Sequence, residues 1–264
     1  MTQPTEKIKP NVVIPTWNGL LVVNRLDRFD SPNGTIGLGN RLLQTGEYCR
    51  QEVETVLQIL KMLRYHRNRR IIAYDLGANI GCHCIKWATE FVRDLDIVAV
   101  EAQRHVFYML CGNIALNSLY NIEALNMAVS DKTGQMDFLE PDYTKAASFA
   151  SLELDRTGVT QPIGQSLSPT KVARVNTVRL DELHDKIPDF IKLDIEGMEL
   201  RVLEASEAFV AAHKPVLMCE HIKSDRERLL KFFDRIGYRH LVMGQDFIAI
   251  HIADPIWENI SNQN

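Results

Sequence analysis

Apolar positions along this chain follow three successive rhythms. Between residues 12 and 39, short apolar stretches (VVIP, GLLVV) alternate with turn signals such as SPNG at 31–34, which predicts small strands or a hairpin. After Gly46, the residues Val53, Val56, Leu57, Leu60 and Leu63 recur on one helical face through Arg64. Unbroken apolar runs then alternate with helical patterns. IIAYDLG predicts a buried strand, residues 85–92 a helix, DIVAVEA a strand, 106–119 a helix, and NIEALNMAVSD a strand closing on Ser130 and Asp131. Alternation at this period implies βαβ units with right-handed crossovers over a parallel sheet.

The rhythm breaks between residues 132 and 180. DKTGQMDF and ARVNTVRLDEL read as strands flanking a polar, Ser/Thr/Gly-rich stretch at 146–170, long enough to predict a lid or a disordered segment. DFIKLDIEG then resumes the parallel pattern, followed by a helix at 199–209, the strand KPVLMCEH and a helix at 226–236. RHLVMG and QDFIAIHIA, separated by a short turn, predict an antiparallel hairpin at the sheet edge. The expected fold is α/β with a doubly wound sheet. Residues 1–44 form an N-terminal extension with short strands after a loose polar tail. Residues 45–254 form the main domain with an insertion at about 140–175, and 255–264 a C-terminal tail.

Composition adds limits. The 264 residues are 45% hydrophobic and 24% charged, as in an ordinary globular protein. A net charge of −4, from 30 basic and 34 acidic side chains, gives no electrostatic case for nucleic acid. The basic run RYHRNRR at 64–70 reads as a solvated helix end, where cations complement the dipole. The first residues lack the apolar core of a secretory signal, and no uninterrupted apolar run reaches the roughly 18 residues of a membrane span. Five scattered cysteines suit reduced thiols better than a disulfide framework. A cytoplasmic protein without a membrane partner is expected.

Two clusters carry the candidate chemistry. In the first, Asp75, Gly77, Ala78, Asn79 and Gly81 close one apolar run, and Glu101 and Ala102 close the next. Adjacent parallel strands would deliver both acids to the edge where open α/β sheets bind ligands. Gly77 permits a sharp turn and Gly81 a helix start close to the ligand. The spacing is G-x-x-x-G rather than the dinucleotide fingerprint G-x-G-x-x-G. Asp75 would repel a pyrophosphate but suit the amino group or sulfonium of S-adenosylmethionine, while Glu101 can accept from ribose hydroxyls. Ser130, at the third strand end, joins the expected cofactor set. Asn113 and Asn126 are candidates for the adenine side, but each reads more readily as an ordinary loop or helix polar residue.

In the second cluster, Asp194 and Glu196 alternate at a strand end and could project together above the cofactor, to orient a hydroxyl or take its proton. The rival reading has Glu196 and Glu199 capping the next helix. Glu220 and His221 end the following strand, and His221 is a credible general base. A divalent ion on these four residues is disfavoured for want of a compact ligand motif. Zinc at Cys82, His83 and Cys84 is disfavoured because i and i+2 diverge on a helix; no metal is expected.

Together DLGANIG (75–81), VEA (100–102), AVSDKTG (128–134), KLDIEGMEL (192–200) and VLMCEH (216–221) resemble the FkbM family of S-adenosylmethionine-dependent methyltransferases over roughly residues 45–250. The resemblance implies the class I methyltransferase (Rossmann-like) fold, with seven strands and an antiparallel strand in the last pair. It implies cofactor contacts through Asp75, Gly77, Asn79, Gly81 and Glu101, and methylation of hydroxyl oxygens of sugars or natural products. The insertion is less typical of the family. Two alternatives stay open, a NAD(P)-binding oxidoreductase and a non-catalytic nucleoside-binding protein.

Overall fold

The computed structural model describes residues 9–31, 34–155 and 162–261. The expected polar tail therefore lies mostly outside the described residues, as do the centre of the SPNG turn and residues 156–161 of the polar stretch. The chain opens with two small hairpins, β1 (Asn11–Thr16) with β2 (Gly19–Asn24) and β3 (Phe29–Ser31) with β4 (Gly34–Ile36). Helices α1 (Leu38–Thr45) and α2 (Arg50–Arg67) follow; the apolar spacing had announced only the second.

The sheet-building part runs β5 (Ile71–Leu76), α3 (Cys82–Glu90), β6 (Leu95–Val100), α4 (Arg104–Leu116) and β7 (Ile122–Leu125). Next come β8 (Ala128–Val129), β9 (Gly134–Leu139) and β10 (Val172–Val178). The chain then continues through β11 (Phe190–Leu193), α5 (Glu199–Ala205), α6 (Glu207–His213) and β12 (Val216–Glu220). It finishes with α7 (Arg226–Arg235), β13 (Tyr238–Met243), β14 (Asp246–His251) and α8 (Pro255–Ser261).

Seven strands form the main sheet in the order β13-β14-β12-β11-β5-β6-β7. The five from β12 to β7 run parallel, and β14 runs antiparallel between β12 and β13. This is the class I methyltransferase arrangement. The expected hairpin is present, but its second strand lies inside the first. Each face is packed: Ala73, Ile97, Phe190 and Met218 point toward one apolar cluster with α2, α3 and α4, while Tyr74, Val98, Ile191 and Leu217 point toward another with α5, α6 and α7. Strand order reverses between β5 and β11, which places the ligand crevice over their carboxyl ends.

Four details depart from the sequence expectations. The strand expected over residues 121–131 breaks in two because the Asn126 amide donates to the carbonyls of Glu101 (2.8 Å) and Ala102 (3.1 Å). Its second half, β8, joins a separate three-stranded sheet with β10 and β9. The polar insertion has a core of its own, with Ala147, Phe149, Leu152 and Ile163 buried against Phe138 and Val175. The 64–70 basic run ends a helix as expected but is used internally: Arg64 pairs with Asp94, Arg67 with Asp254, Arg69 with Asp189 and Arg70 with Asp96. The end of the chain forms α8, which buries Ile256.

The N-terminal hairpin is held by side chains that imitate a strand. Asn117, the residue that ends α4, accepts from Leu20 N–H (3.0 Å) and donates to Leu20 C=O (2.8 Å), and Asn113 on α4 does the same for Val22. Asp27, fully desolvated, accepts from the backbone N–H of Gly39 and of Phe149 (both 3.0 Å), tying extension and insertion together. Burial raises its pKa to about 6 against those two bonds.

Candidate active site

A cavity of about 730 Å³ opens over the carboxyl ends of β5, β6, β11 and β12. Of the residues singled out from sequence, Gly77, Ala78, Asn79, Glu101, Ala102, Asp194 and Glu196 line it. Gly77 has φ +79, and a Cβ there would lie 1.8 Å from the Asp194 carbonyl oxygen. The two sequence motifs therefore meet at van der Waals contact, which only glycine permits.

Glu101 is buried and accepts from Asn79 N–H (3.0 Å) and Gln103 N–H (2.7 Å), one on each oxygen. Burial raises its pKa to about 7, against those bonds. Each oxygen keeps a lone pair for a diol in the cavity.

Four of the expected residues do not line the cavity. Asp75 precedes the last residue of its strand and is fully buried, with neither carboxylate oxygen hydrogen-bonded and Lys192 Nζ 3.5 Å away. Gly81 serves packing, since a Cβ there would press on Ile85 and Leu110 side chains at 2.8 Å. Ser130 is fully buried in the small sheet, its N–H bonded to Val178 C=O (2.9 Å) and its hydroxyl to Asp131 (3.0 Å). His221 stacks on Phe247 (ring centroids 4.3 Å apart), and burial with the nearby Arg226 charge holds its pKa below the usual value. Its neighbour Glu220 lines the cavity instead. Of the two asparagines, Asn113 braces β2 and Ile80, and Asn126 fixes the turn after β7.

The residue that sequence reading missed is Lys192. It sits in β11, 2% exposed, with Nζ 3.0 Å from Asp194 and 3.5 Å from Asp75. A lysine within the otherwise apolar run FIKLD was the available signal, because buried lysines are nearly always paired. Burial works against its charge, but the two aspartates raise its pKa further than burial lowers it. Asp194 is correspondingly held low: burial pushes it up, and the Lys192 charge and hydrogen bond outweigh that.

Around this fixed ion pair the other acids move up. Burial and the Asp194 charge raise Glu196 to about 7, and Glu220, which Glu196 also opposes, to about 9. Burial raises Asp246 to about 7. Glu196 pairs with Lys223 and takes left-handed backbone geometry (φ +57). Glu199 holds that turn by accepting from Ile195 N–H (2.9 Å), Gly197 N–H (3.1 Å) and Ser224 Oγ (2.7 Å). Neither acid caps α5: Glu199 braces the turn that precedes the helix, and Glu196 faces the cavity.

The remaining wall comes from distant segments: Thr35 and Arg41 of the extension, Tyr48 just before α2, Ser148 and Leu152 of the insertion, and Gln245 after β13. Cys49, Glu52 and His83 also line it, with one potential ligand atom each, all within 4.8 Å of one another. His83 faces α2, its Nε2 3.7 Å from Glu52.

A family described as the methyltransferase FkbM domain matches residues 75–240, well over half of the chain. No curated protein matches. Among solved structures, a methyltransferase FkbM from Methylobacillus flagellatus KT aligns at 17% identity, covering 69% of this chain and 44% of that one, with TM-score 0.47. This chain thus spans less than half of that protein. A precorrin-6y C5,15-methyltransferase from Geobacter metallireducens aligns at 15% identity over 76% of this chain and 84% of that one, TM-score 0.41. A SAM-dependent methyltransferase from Aquifex aeolicus aligns at 15% identity over 84% and 92%, TM-score 0.40. The matched span holds Glu101, Lys192, Asp194 and Glu220 of the cavity wall, and this chain belongs to the FkbM methyltransferase domain family.

Proposed function

We propose that the protein transfers a methyl group from S-adenosylmethionine to a hydroxyl oxygen of a small polyhydroxylated acceptor, a sugar or natural product. The observation that carries this reading is the contact of Gly77 with the Asp194 backbone, which joins the glycine loop, Glu101 and an ionised carboxylate in one cavity. The residues suit the cofactor. Glu101 has free lone pairs for the ribose diol, Gly77, Ala78 and Asn79 line the cavity beside it, and the close approach of Gly77 to Asp194 sets the two walls side by side. A cavity of about 730 Å³ falls within the usual range for small-molecule sites, about 300–1,000 Å³.

The cofactor supplies an activated methyl on a cationic sulfur; the chain supplies alignment, exclusion of water and a place for the proton. Lys192 keeps Asp194 ionised at the cavity wall, so Asp194 orients the acceptor hydroxyl by accepting its hydrogen bond. Glu196, with a pKa raised to about 7, is matched to receive the proton near neutrality. Glu220, with a pKa raised to about 9, remains protonated there and donates to an acceptor oxygen. Ser148, Ser151 and Leu152 of the insertion cover the acceptor. Alignment of this kind is worth up to about 7–11 kcal/mol.

Calorimetric titration with S-adenosylmethionine and its demethylated product tests the cofactor, and a screen of hydroxylated acceptors with labelled methyl donor tests the transfer. Binding of both nucleosides with label appearing on oxygen is the expected result. No binding of either, or enhancement of NADH fluorescence in their place, refutes the reading.

A further inference from the structure

Cys49, Glu52 and His83 come from the starts of two different helices and converge on the cavity wall. Cys49 is the residue before α2, Glu52 lies one turn on, and His83 is the second residue of α3. Their ligand atoms all lie within 4.8 Å of one another. In tetrahedral zinc, with bonds of about 2.0–2.3 Å, the corresponding spacings are about 3.3–3.7 Å. Small side-chain movements close that gap.

Two features mark the trio as more than a chance grouping. His83 is 7% exposed, its Nε2 is buried without a hydrogen-bond partner, and Glu52 stands 3.7 Å away, too far to bond it. The ring is held edge-on by Trp87, with centroids 5.7 Å apart. Cys49 has left-handed backbone geometry (φ +47) and its side chain makes no capping bond to α2. Burial and the neighbouring Glu52 carboxylate push the Cys49 thiol up, so a metal ion has to displace its proton.

We propose that Cys49, Glu52 and His83 bind one divalent transition-metal ion of the zinc class, with a fourth position open to the cavity. A set of one sulfur, one imidazole nitrogen and one carboxylate oxygen is what zinc takes and what magnesium and calcium reject. The field around it accepts a dication. Lys192, which acts on both Cys49 and Glu52, is already paired with Asp75 and Asp194, and Asp246 adds a further carboxylate near Glu52. Coordination replaces the Cys49 S–H bond with a sulfur–metal bond and releases the proton to solvent. Use of the open position by an acceptor hydroxyl rests on the methyl-transfer reading; metal binding does not.

Cobalt(II) is the probe, titrated into the full chain after chelator treatment. One equivalent should bind with a thiolate-to-cobalt charge-transfer band that zinc displaces, and the heat should vary with buffer ionisation enthalpy as one proton leaves. Cys49→Ser should abolish the band and Cys82→Ser should keep it, while His83→Gln and Glu52→Gln should each weaken affinity at least about tenfold. Alkylation mapping of the wild-type chain, with Cys49 protected by zinc, gives an answer even if a variant fails to fold. Absence of the band, its survival in Cys49→Ser, or unprotected Cys49 overturns the proposal. Titration of the metal-free chain with S-adenosylmethionine is read separately, so cofactor binding without the cobalt band refutes the metal site alone, and the reverse pattern refutes the methyl-transfer reading alone.

Discussion

The two halves of the cavity are built by opposite means. Over β5 and β6 the wall is mostly backbone: the amide of Asn79 in the glycine loop and that of Gln103 in the turn after β6 fix Glu101, and these residues lie within thirty or so positions of one another. Over β11 and β12 the wall is charged side chains, Asp194, Glu196, Glu220 and Asp246, with Lys192 and Lys223 among them. A backbone-built site resists substitution and suits a ligand common to many relatives. A side-chain site tunes its charge by mutual burial, so it can be altered residue by residue to suit one acceptor. Lys192 joins the halves, touching Asp75 beneath the first and Asp194 within the second.

Substitutions separate the halves most sharply at Asp194. Asp194→Asn should lower turnover about 10²-fold while calorimetry finds cofactor affinity nearly intact; unchanged turnover removes Asp194 from the chemistry. Lys192→Met strips the cation from the fully buried Asp75 and from Asp194 at the cavity wall, and should cost about 3–5 kcal/mol of stability, read by urea unfolding. A loss under about 1 kcal/mol would mean that the halves are not coupled through Lys192. On the backbone side, Glu101→Gln should weaken cofactor affinity about tenfold to a hundredfold and leave turnover at saturation close to wild type. A fall in saturated turnover with affinity preserved would invert the division of labour.

The smallest effect is a pH dependence. Glu101, Glu196 and Asp246 have folded-state pKa values raised to about 7 and Glu220 to about 9, so the folded chain holds protons that the unfolded chain has released. Their stabilising contribution is complete below the ordinary carboxylate range and is lost as pH rises through these values. Asp194 has the opposite sign, losing its contribution only in acid. The cofactor-free chain should melt progressively lower from pH 5 to pH 9, by about 2–4 °C per kcal/mol, and Glu220→Gln should flatten the upper part of the curve. A melting temperature constant across this range would show that the acids are solvated rather than buried.

Legibility followed the same division. DLGANIG and VEA announced strand ends, a tight turn and an acid because those constraints are local, set by chain period and glycine conformation. FIKLD announced a strand end too, but the role of Lys192 depends on β5 lying beside β11, a pairing between residues more than a hundred positions apart. Ser130 and His221 were placed by strand-end logic and then diverted, one by the change of sheet after Asn126 and the other by stacking on Phe247. The 146–170 stretch read as polar loop because its few apolar residues have no period. Its burial comes from β9, β10 and the Asp27 tie rather than from its own pattern.

By itself the sequence determined the alternation of buried strands and amphipathic helices, and hence a doubly wound sheet with acids at the ends of its strands. Apolar period and backbone freedom act over a few residues and can be read in order. Only the tertiary structure decided which acids share a cavity, which one a buried lysine keeps ionised, and how the extension and insertion close over them. Desolvation and Coulomb interaction depend on distance through space, and the residues that set them here arrive from every third of the chain.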